Sequence, residues 1–311
     1  MRALRWASVV ALVLTFGVIV LGAWVRATGS GLSCPDWPTC YGHWVPLPGE
    51  IPPEAGYSYF QVMLEWVHRL LAGVFLGPLI LAIGVLGWRA RAVHRRMPLY
   101  AGLLVVLLLV QALLGGVTVL DQNSPWSVAL HLSTALVLFS VLWLIFERAG
   151  QGTAGNGING LARPIAVLVW LLALGAMASA AMTTKSGAAL ACATWPLCDG
   201  ALVPDLGDPL VRLNFTHRLL AAGLGLGMLA LWLATRAQPT VRPIVGVALA
   251  LVGAEILLGG LVVLWQVPVG TAVAHQALGV LTFGAITWSM WRIHAPASDT
   301  ETVHVRGLSR A

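Results

Sequence analysis

Residues 64–72 read Leu-Glu-Trp-Val-His-Arg-Leu-Leu-Ala, and residues 213–221 read Leu-Asn-Phe-Thr-His-Arg-Leu-Leu-Ala. His68 of the first stretch is matched by His217 of the second, 149 positions later. Two further pairs keep the same order. Leu113-Leu114-Gly115-Gly116 ahead of His131 returns as Leu257-Leu258-Gly259-Gly260 ahead of His275, both at an offset of 144. Cys34-Pro-Asp-Trp37-Pro38-Thr-Cys40 returns as Cys192-Ala-Thr-Trp195-Pro196-Leu-Cys198, at an offset of 158. Three matches in one order point to an internal duplication with small insertions. Each half then owns two histidines and one Cys-Trp-Pro-Cys loop.

The bulk composition sets the medium. Hydrophobic residues make up 58% of the chain and charged residues 10%, with a mean hydropathy of +0.84. A soluble domain is about a quarter charged, so the sequence reads as an integral membrane protein. Eight apolar runs, near 7–25, 61–87, 98–120, 126–146, 163–182, 210–234, 243–264 and 269–291, are long enough to span a bilayer. Lipid cannot satisfy backbone polar groups, so each run must be helical. The expected fold class is therefore all-α and integral to the membrane, with eight transmembrane helices forming two pseudo-symmetric four-helix bundles. Residues 1–149 form the first half, 150–162 a Gly- and Asn-rich cytoplasmic linker, 163–294 the second half and 295–311 a polar tail.

The net charge of +6 does not read as nucleic-acid binding. The arginines sit mostly in short connections: Arg2 and Arg5, Arg89 to Arg96, Arg148 and Arg163, Arg236 and Arg242, and Arg292. With eight spans all of these fall on one side, which the positive-inside rule makes cytoplasmic, with both termini there. Arg2 and Arg5 serve the first run as an inside anchor rather than marking a cleaved signal peptide. The opposite side carries the two longer loops, 26–60 and 183–209, and all four cysteines. That face is oxidising in a bacterial cell envelope, so Cys34–Cys40 and Cys192–Cys198 are plausible disulfides. As staples they would hold the loops over the bundles; as redox pairs they would exchange electrons with a thiol carrier. The Cys-x-x-Cys spacing of dithiol catalysts is absent, which favours the staple.

The histidines carry the chemistry. His68, His131, His217 and His275 each lie roughly five to eight residues into a helix that enters from the loop side, at about 8–12 Å depth. Two per half at matching depth can face each other across a bundle, where cofactor sites are built. One intramembrane histidine is as readily a hydrogen-bonded packing residue; four in a repeated pattern point to function. Paired imidazoles suit haem iron, with an axial nitrogen on each face, and leave a zinc or copper shell incomplete. Arg69 and Arg218 each follow a histidine, placed either to pair with a haem propionate or to snorkel to the headgroups. Glu65 lies three residues before His68, on the same helix face, where the second half has Asn214. A carboxylate beside one site alone implies unequal roles, proton handling in the first half and a passive redox site in the second. An i, i+4 ion pair with Arg69 is the alternative. Glu255, opposite Gln111 in the repeat, has helix bridging as its default role.

Glu65-Trp66-Val67-His68-Arg69 resembles the Glu-x-x-His-Arg motif of the haem A synthase family. The resemblance covers essentially the whole chain, with eight spans in two halves, four histidines on the loop side and cysteine pairs in the first and third outer loops. It implies conversion of haem O to haem A by successive hydroxylations of the methyl group at ring position eight, for haem-copper oxidase biogenesis. It further implies that His217 and His275 ligate a haem b cofactor. His68 and His131 would face the haem O substrate, with Glu65 the acid needed for turnover. Cys34 and Cys40 match a first-loop pair linked to activity, and Cys192 and Cys198 a third-loop pair that part of the family carries. The setting would be a bacterial cell membrane, with haem O synthase, a quinone or a thiol carrier as candidate partners and the oligomeric state open.

Two other classes fit parts of the pattern. A di-haem electron-transfer cytochrome would use the four histidines but has no need of Glu65. A membrane thiol oxidase would use the cysteines but not the histidines. A transporter with inverted repeats is disfavoured because each half holds four spans and so keeps the same orientation.

Overall fold

The computed structural model describes residues 1–150 and 160–295. The body of the expected linker (151–159) and the tail from 296 lie outside the described residues. Among the described residues the regular structure is helical apart from two isolated bridges. Eight helices are long and apolar enough to cross a membrane. They are α1 (Arg2–Ala27), α2 (Tyr59–Ala92), α3 (Met97–Leu120), α4 (Pro125–Ala149), α5 (Ala162–Lys185), α6 (Pro209–Ala234), α7 (Arg242–Leu264) and α8 (Val269–Ile293). The expected spans agree with these to within a few residues at most ends, and α2 runs on through the Arg89–Ala92 turn.

Side-chain caps start three of the four helices that carry the histidines. Ser58 caps α2 in a capping box, with Gln61 Oε1 accepting from the Ser58 backbone N–H at 3.0 Å. Ser124 caps α4 ahead of Pro125, and Asp208 accepts from Leu210 N at 2.8 Å ahead of Pro209. Such side chains satisfy orphan donors of the first turn, and proline's fixed φ suits the first helical position. His68, His131, His217 and His275 are the tenth, seventh, ninth and seventh residues of their helices, somewhat deeper in α2 and α6 than expected.

Helices α1, α4, α5 and α8 pack together where the halves meet, with α2 and α3 outside on one flank and α6 and α7 on the other. The buried core runs through this centre, with Phe139, Leu142 and Ile145 of α4 against Phe283, Ile286 and Met290 of α8. Lipid tails are as apolar as leucine, so the hydrophobic effect alone does not join helices in a bilayer. The seam uses aromatic rings with polar tips instead. Trp143 stacks on Trp288 with centroids 5.8 Å apart. The indole N–H groups of Trp170, Trp288 and Trp291 donate across helices to Thr287 Oγ1, Glu147 Oε1 and the Ser140 carbonyl, at 3.1, 2.8 and 2.9 Å. Aromatic pairs add about 0.5–1.5 kcal/mol each beyond their burial. The outer helices leave Val106, Leu113, Leu226 and Val247 exposed toward the lipid.

One departure from regularity matters for the site. Residues Leu71–Leu76 of α2 form a π-helical turn directly after His68 and Arg69. The matching region of α6 is uninterrupted α-helix, although both halves carry His-Arg-Leu-Leu-Ala there. Single wide turns of this kind recur at functional sites.

Candidate functional site

A cavity of about 740 Å³ opens in the first half, with His68, His131 and Glu65 all on its wall. That volume is within the range of small-molecule and cofactor sites. Leu70, Ala72, Gly73 and Leu76 of the wide turn also line it, so the extra residue in the turn displaces α2 side chains around the space. Trp37, Pro38, Trp44 and Tyr57 of the 28–58 loop close its loop end. The loop is pinned by Trp66 Nε1 donating to the Trp44 carbonyl at 2.7 Å and Asn123 Nδ2 to the Gly31 carbonyl at 2.6 Å.

The structure brings the histidines together in the expected pairs. His131 lies within electrostatic reach of His68, and His217 of His275. Glycine makes room for them. A Cβ on Gly22 of α1 would lie 3.0 Å from His68 Nε2, and one on Gly259 of α7 would lie 2.9 Å from His275 Cε1. The Leu-Leu-Gly-Gly repeat is explained in the same way. The first glycine, Gly115 or Gly259, faces the histidine ring of the next helix, and the second, Gly116 or Gly260, faces the ring of Trp37 or Trp195.

In the second half a side chain stands at Nδ1 of each histidine, hydrogen-bonded to His217 and in contact with His275, which leaves Nε2 for a ligand. Ser179 Oγ lies 2.9 Å from Nδ1 of His217. Glu255 Oε1 lies 3.0 Å from Nδ1 of His275, at contact distance but out of line for a hydrogen bond, and its other oxygen is buried without a partner. In the first half the amide nitrogen of Gln111 stands 3.2 Å from both ring nitrogens of His131. Metal-bound imidazoles usually have their second nitrogen tied to a carboxylate, hydroxyl or carbonyl in this manner. The donor set of the second half therefore fits a bis-histidine haem. Ser179 was not foreseen: a serine amid small apolar residues carries no signal in the sequence.

The polar residues beside His68 and His217 both tie their helices to the cysteine loops. Glu65 is 4% exposed. One oxygen accepts from Ser33 Oγ at 3.1 Å and Cys34 N at 3.0 Å, and the other from Arg69 at 2.5 Å. The i, i+4 ion pair thus exists and coexists with a place on the cavity wall. Asn214 holds the second loop with reversed polarity, donating to the Ala188 and Ala189 carbonyls at 2.8 and 3.1 Å and accepting from Arg218 Nε at 2.8 Å. Arg69 donates to the carbonyls of Cys34, Asp36 and Thr39, and Arg218 to those of Cys192, Thr194, Pro196 and Leu197. Both guanidinium groups face the cysteine loops and spend most of their five donors there; neither reaches for the headgroups.

Both cysteine pairs are disulfides, each with Cα atoms 4.7 Å apart, and no cysteine is free. Asp36 organises the first loop, accepting from Thr39 Oγ1, from Tyr41 N at 2.6 Å and from Gly42 N at 3.0 Å. Burial raises its carboxyl, but these hydrogen bonds outweigh that and hold it below the usual value.

A helical membrane fold with two histidine pairs, each beneath a disulfide-closed Trp-Pro loop and one opening on a ligand-sized cavity, defines a polytopic membrane protein with a candidate ligand site between its helices. Residues 5–287 match the COX15-CtaA family, described as cytochrome oxidase assembly protein, and the chain belongs to that family. It is 31% identical to the Heme A synthase of Geobacillus kaustophilus over 304 residues, 92% of this chain and 90% of that protein. It is 30% identical to the Heme A synthase of Shewanella oneidensis over 328 residues, 93% and 97% of the two chains. The Heme A synthase of Symbiobacterium thermophilum is 30% identical over 303 residues, with 93% and 94% coverage.

Proposed function

We propose that the protein is a haem A synthase that oxidises the position-eight methyl of haem O to a formyl group. The observation that carries this reading is the single cavity wall shared by His68, His131 and Glu65, set against a second half whose histidines are each buttressed at Nδ1. Residues 1–149 then form the substrate half and 163–294 the cofactor half, related by duplication. His68 and His131 present nitrogens to the substrate from α2 and α4, and His217 and His275 hold haem b from α6 and α8. When bound, haem b supplies a one-electron acceptor, an exit toward a quinone or thiol partner.

The chain's own residues do the rest. Converting a methyl to a formyl with water as the oxygen source releases four electrons and four protons, in two hydroxylations followed by loss of water. Glu65 is the carboxylate on the cavity wall that takes up protons at Oε1 or Oε2, and Ser33, Cys34 N and Arg69 keep it aimed. Trp37, Trp44 and Tyr57 limit the access of bulk water from the loop end. Arg69 and Arg218 serve the haem edges by holding the two cysteine loops in place. The Arg-rich connections support an orientation with that end of the helices in the cytoplasm of a bacterial cell and the disulfides on the outer face.

The test is expression with and without a haem O synthase, followed by pigment extraction, chromatography and mass analysis. Haem A or its hydroxylated precursor is expected only with the synthase, and Glu65→Ala is expected to abolish it while haem b stays bound. Haem b alone under both conditions would replace this reading with a bis-histidine electron relay. Label entering from dioxygen rather than water would remove water as the oxygen source.

A further inference from the structure

Five basic residues stand at the loop end against the general asymmetry; Arg69, Arg212 and Arg218 are spent on loop carbonyls, which leaves Arg26 and Lys185. Arg26 ends α1 and Lys185, the sole lysine of the chain, ends α5, both at the loop end rather than the Arg-rich end. Both line the cavity that holds His68 and His131, and so does Gln276 of α8. They come from both halves, so the cavity is completed across the seam. Arg26 NH2 donates to Gln276 Oε1 at 3.2 Å. That bond uses the glutamine's acceptor and leaves its amide nitrogen buried without a partner, with Arg26 Nε buried and unpartnered beside it. Gln276 is only 7% exposed. Among the described residues neither Arg26 nor Lys185 is paired with a carboxylate, although the two cations are near enough to repel each other.

Two like charges and an amide donor, facing a cavity whose one acid, Glu65, is already paired with Arg69, are costly at membrane depth unless an anion arrives. The position supplies the scale. Gly22 touches His68 Nε2, and Arg26 lies one helical turn from Gly22 toward the loop end, about 6 Å along α1. A planar ligand centred between His68 and His131 would reach that level with its periphery. Arg69, the sequence's own candidate for this task, is already engaged with the first cysteine loop.

We propose that Arg26, Lys185 and Gln276 form a carboxylate clamp that seats the propionate edge of the first-half ligand, its donors drawn from both halves of the chain. This rests on the first-half cavity being the haem O site and adds which edge enters toward the loop end. It makes Gln276 a shared element, since its neighbour His275 belongs to the other histidine pair. A lipid phosphate offers the same anionic chemistry, and the test separates the two.

The experiment titrates haem O and its dimethyl ester into detergent-solubilised full-length protein carrying haem b, read by the Soret band. The wild type is expected to bind the diacid about tenfold to hundredfold more tightly than the diester, in keeping with charge-assisted contacts. Arg26→Gln with Lys185→Gln should erase that preference by weakening the diacid alone, while Arg26→Lys keeps part of it. Haem b content of the same samples reports that the variants are folded. A preference that survives the double substitution, or diacid affinity that falls only when anionic lipid is added equally to wild type and variant, overturns the clamp. If uptake of both forms is indifferent to His68→Ala and His131→Ala, the substrate-site reading itself falls and takes the clamp with it.

Discussion

The two halves are built alike but place their acids differently. In the first half the acid, Glu65, stands on the α2 helix beside the cavity, and the amide, Gln111, faces His131. In the second half the amide, Asn214, stands at the α6 position and the acid, Glu255, faces His275. One carboxylate and one amide have exchanged places between otherwise matching frames. A carboxylate on the far nitrogen of an imidazole fixes the ring and raises its basicity, which suits a permanent ligand. A carboxylate on a cavity wall is placed for proton traffic instead. The wide turn of α2, absent from α6, lines the first-half cavity, the side proposed to exchange its ligand. The halves share a frame, and the proposed division of labour rests on where they depart from it.

The sharpest way to break this comparison is to move the acid. Glu65→Asn, which gives the first half the residue of the second, is expected to lower haem A formation by at least about a hundredfold. Haem b content and its spectrum should be unchanged. Full activity in Glu65→Asn would show that the exchange of acid and amide carries no division of labour. Next in size is Glu255→Gln, which gives the second half the residue of the first. Haem b affinity should fall about 10- to 100-fold, and a redox titration should find a higher midpoint potential, because a less basic imidazole stabilises the ferric state less. An unaltered affinity and potential would mean that the 3.0 Å contact to His275 does not tune the ligand.

Smaller effects test the glycines and the loops. A Cβ on Gly260 would lie 2.7 Å from the Trp195 ring, whereas one on Gly116 would lie 3.3 Å from Trp37. Overpacking of this kind costs about 1–3 kcal/mol, so Gly260→Ala should lower the thermal midpoint more than Gly116→Ala. The reverse order would contradict the tighter fit of the second loop. The smallest effect concerns pH. The Asp36 carboxyl is held below its ordinary value in the folded loop, so its contribution is present above the unfolded-state value and is lost as pH falls through the lowered folded-state value. Protection of the first loop from proteolysis should therefore decline on acidification in the wild type. Asp36→Asn should be weaker near neutrality and nearly flat across that acid range, and the second loop should not change in parallel.

Much of this was legible before any coordinates. Hydropathy alone gave eight spans, because a backbone in lipid has no option but to close its own hydrogen bonds. The repeated motifs marked His68, His131, His217 and His275, and the two cysteine pairs, since polar groups stand out against an apolar background. Their offsets also matched Glu65 to Asn214 and Gln111 to Glu255, so the acid exchange was visible in outline. Arg69 and Arg218 were marked for a propionate or the headgroups, whereas the carbonyls that they hold were not foreseen. A guanidinium has five donors, and sequence order does not say which acceptors a fold will bring to them.

What the sequence determined by itself was the membrane-spanning class, the order of the helices and the positions of the candidate residues for binding iron or moving protons. These follow from composition and periodicity, which act locally along the chain. What only the tertiary structure decided was where the polar groups converge. The wide turn after Arg69 appears in one of two nearly identical segments. Ser179 meets His217, and Arg26 meets Gln276 across 250 positions of sequence. Such contacts depend on how whole helices pack against one another, and helix packing is set by the summed shapes of many side chains rather than by any one motif.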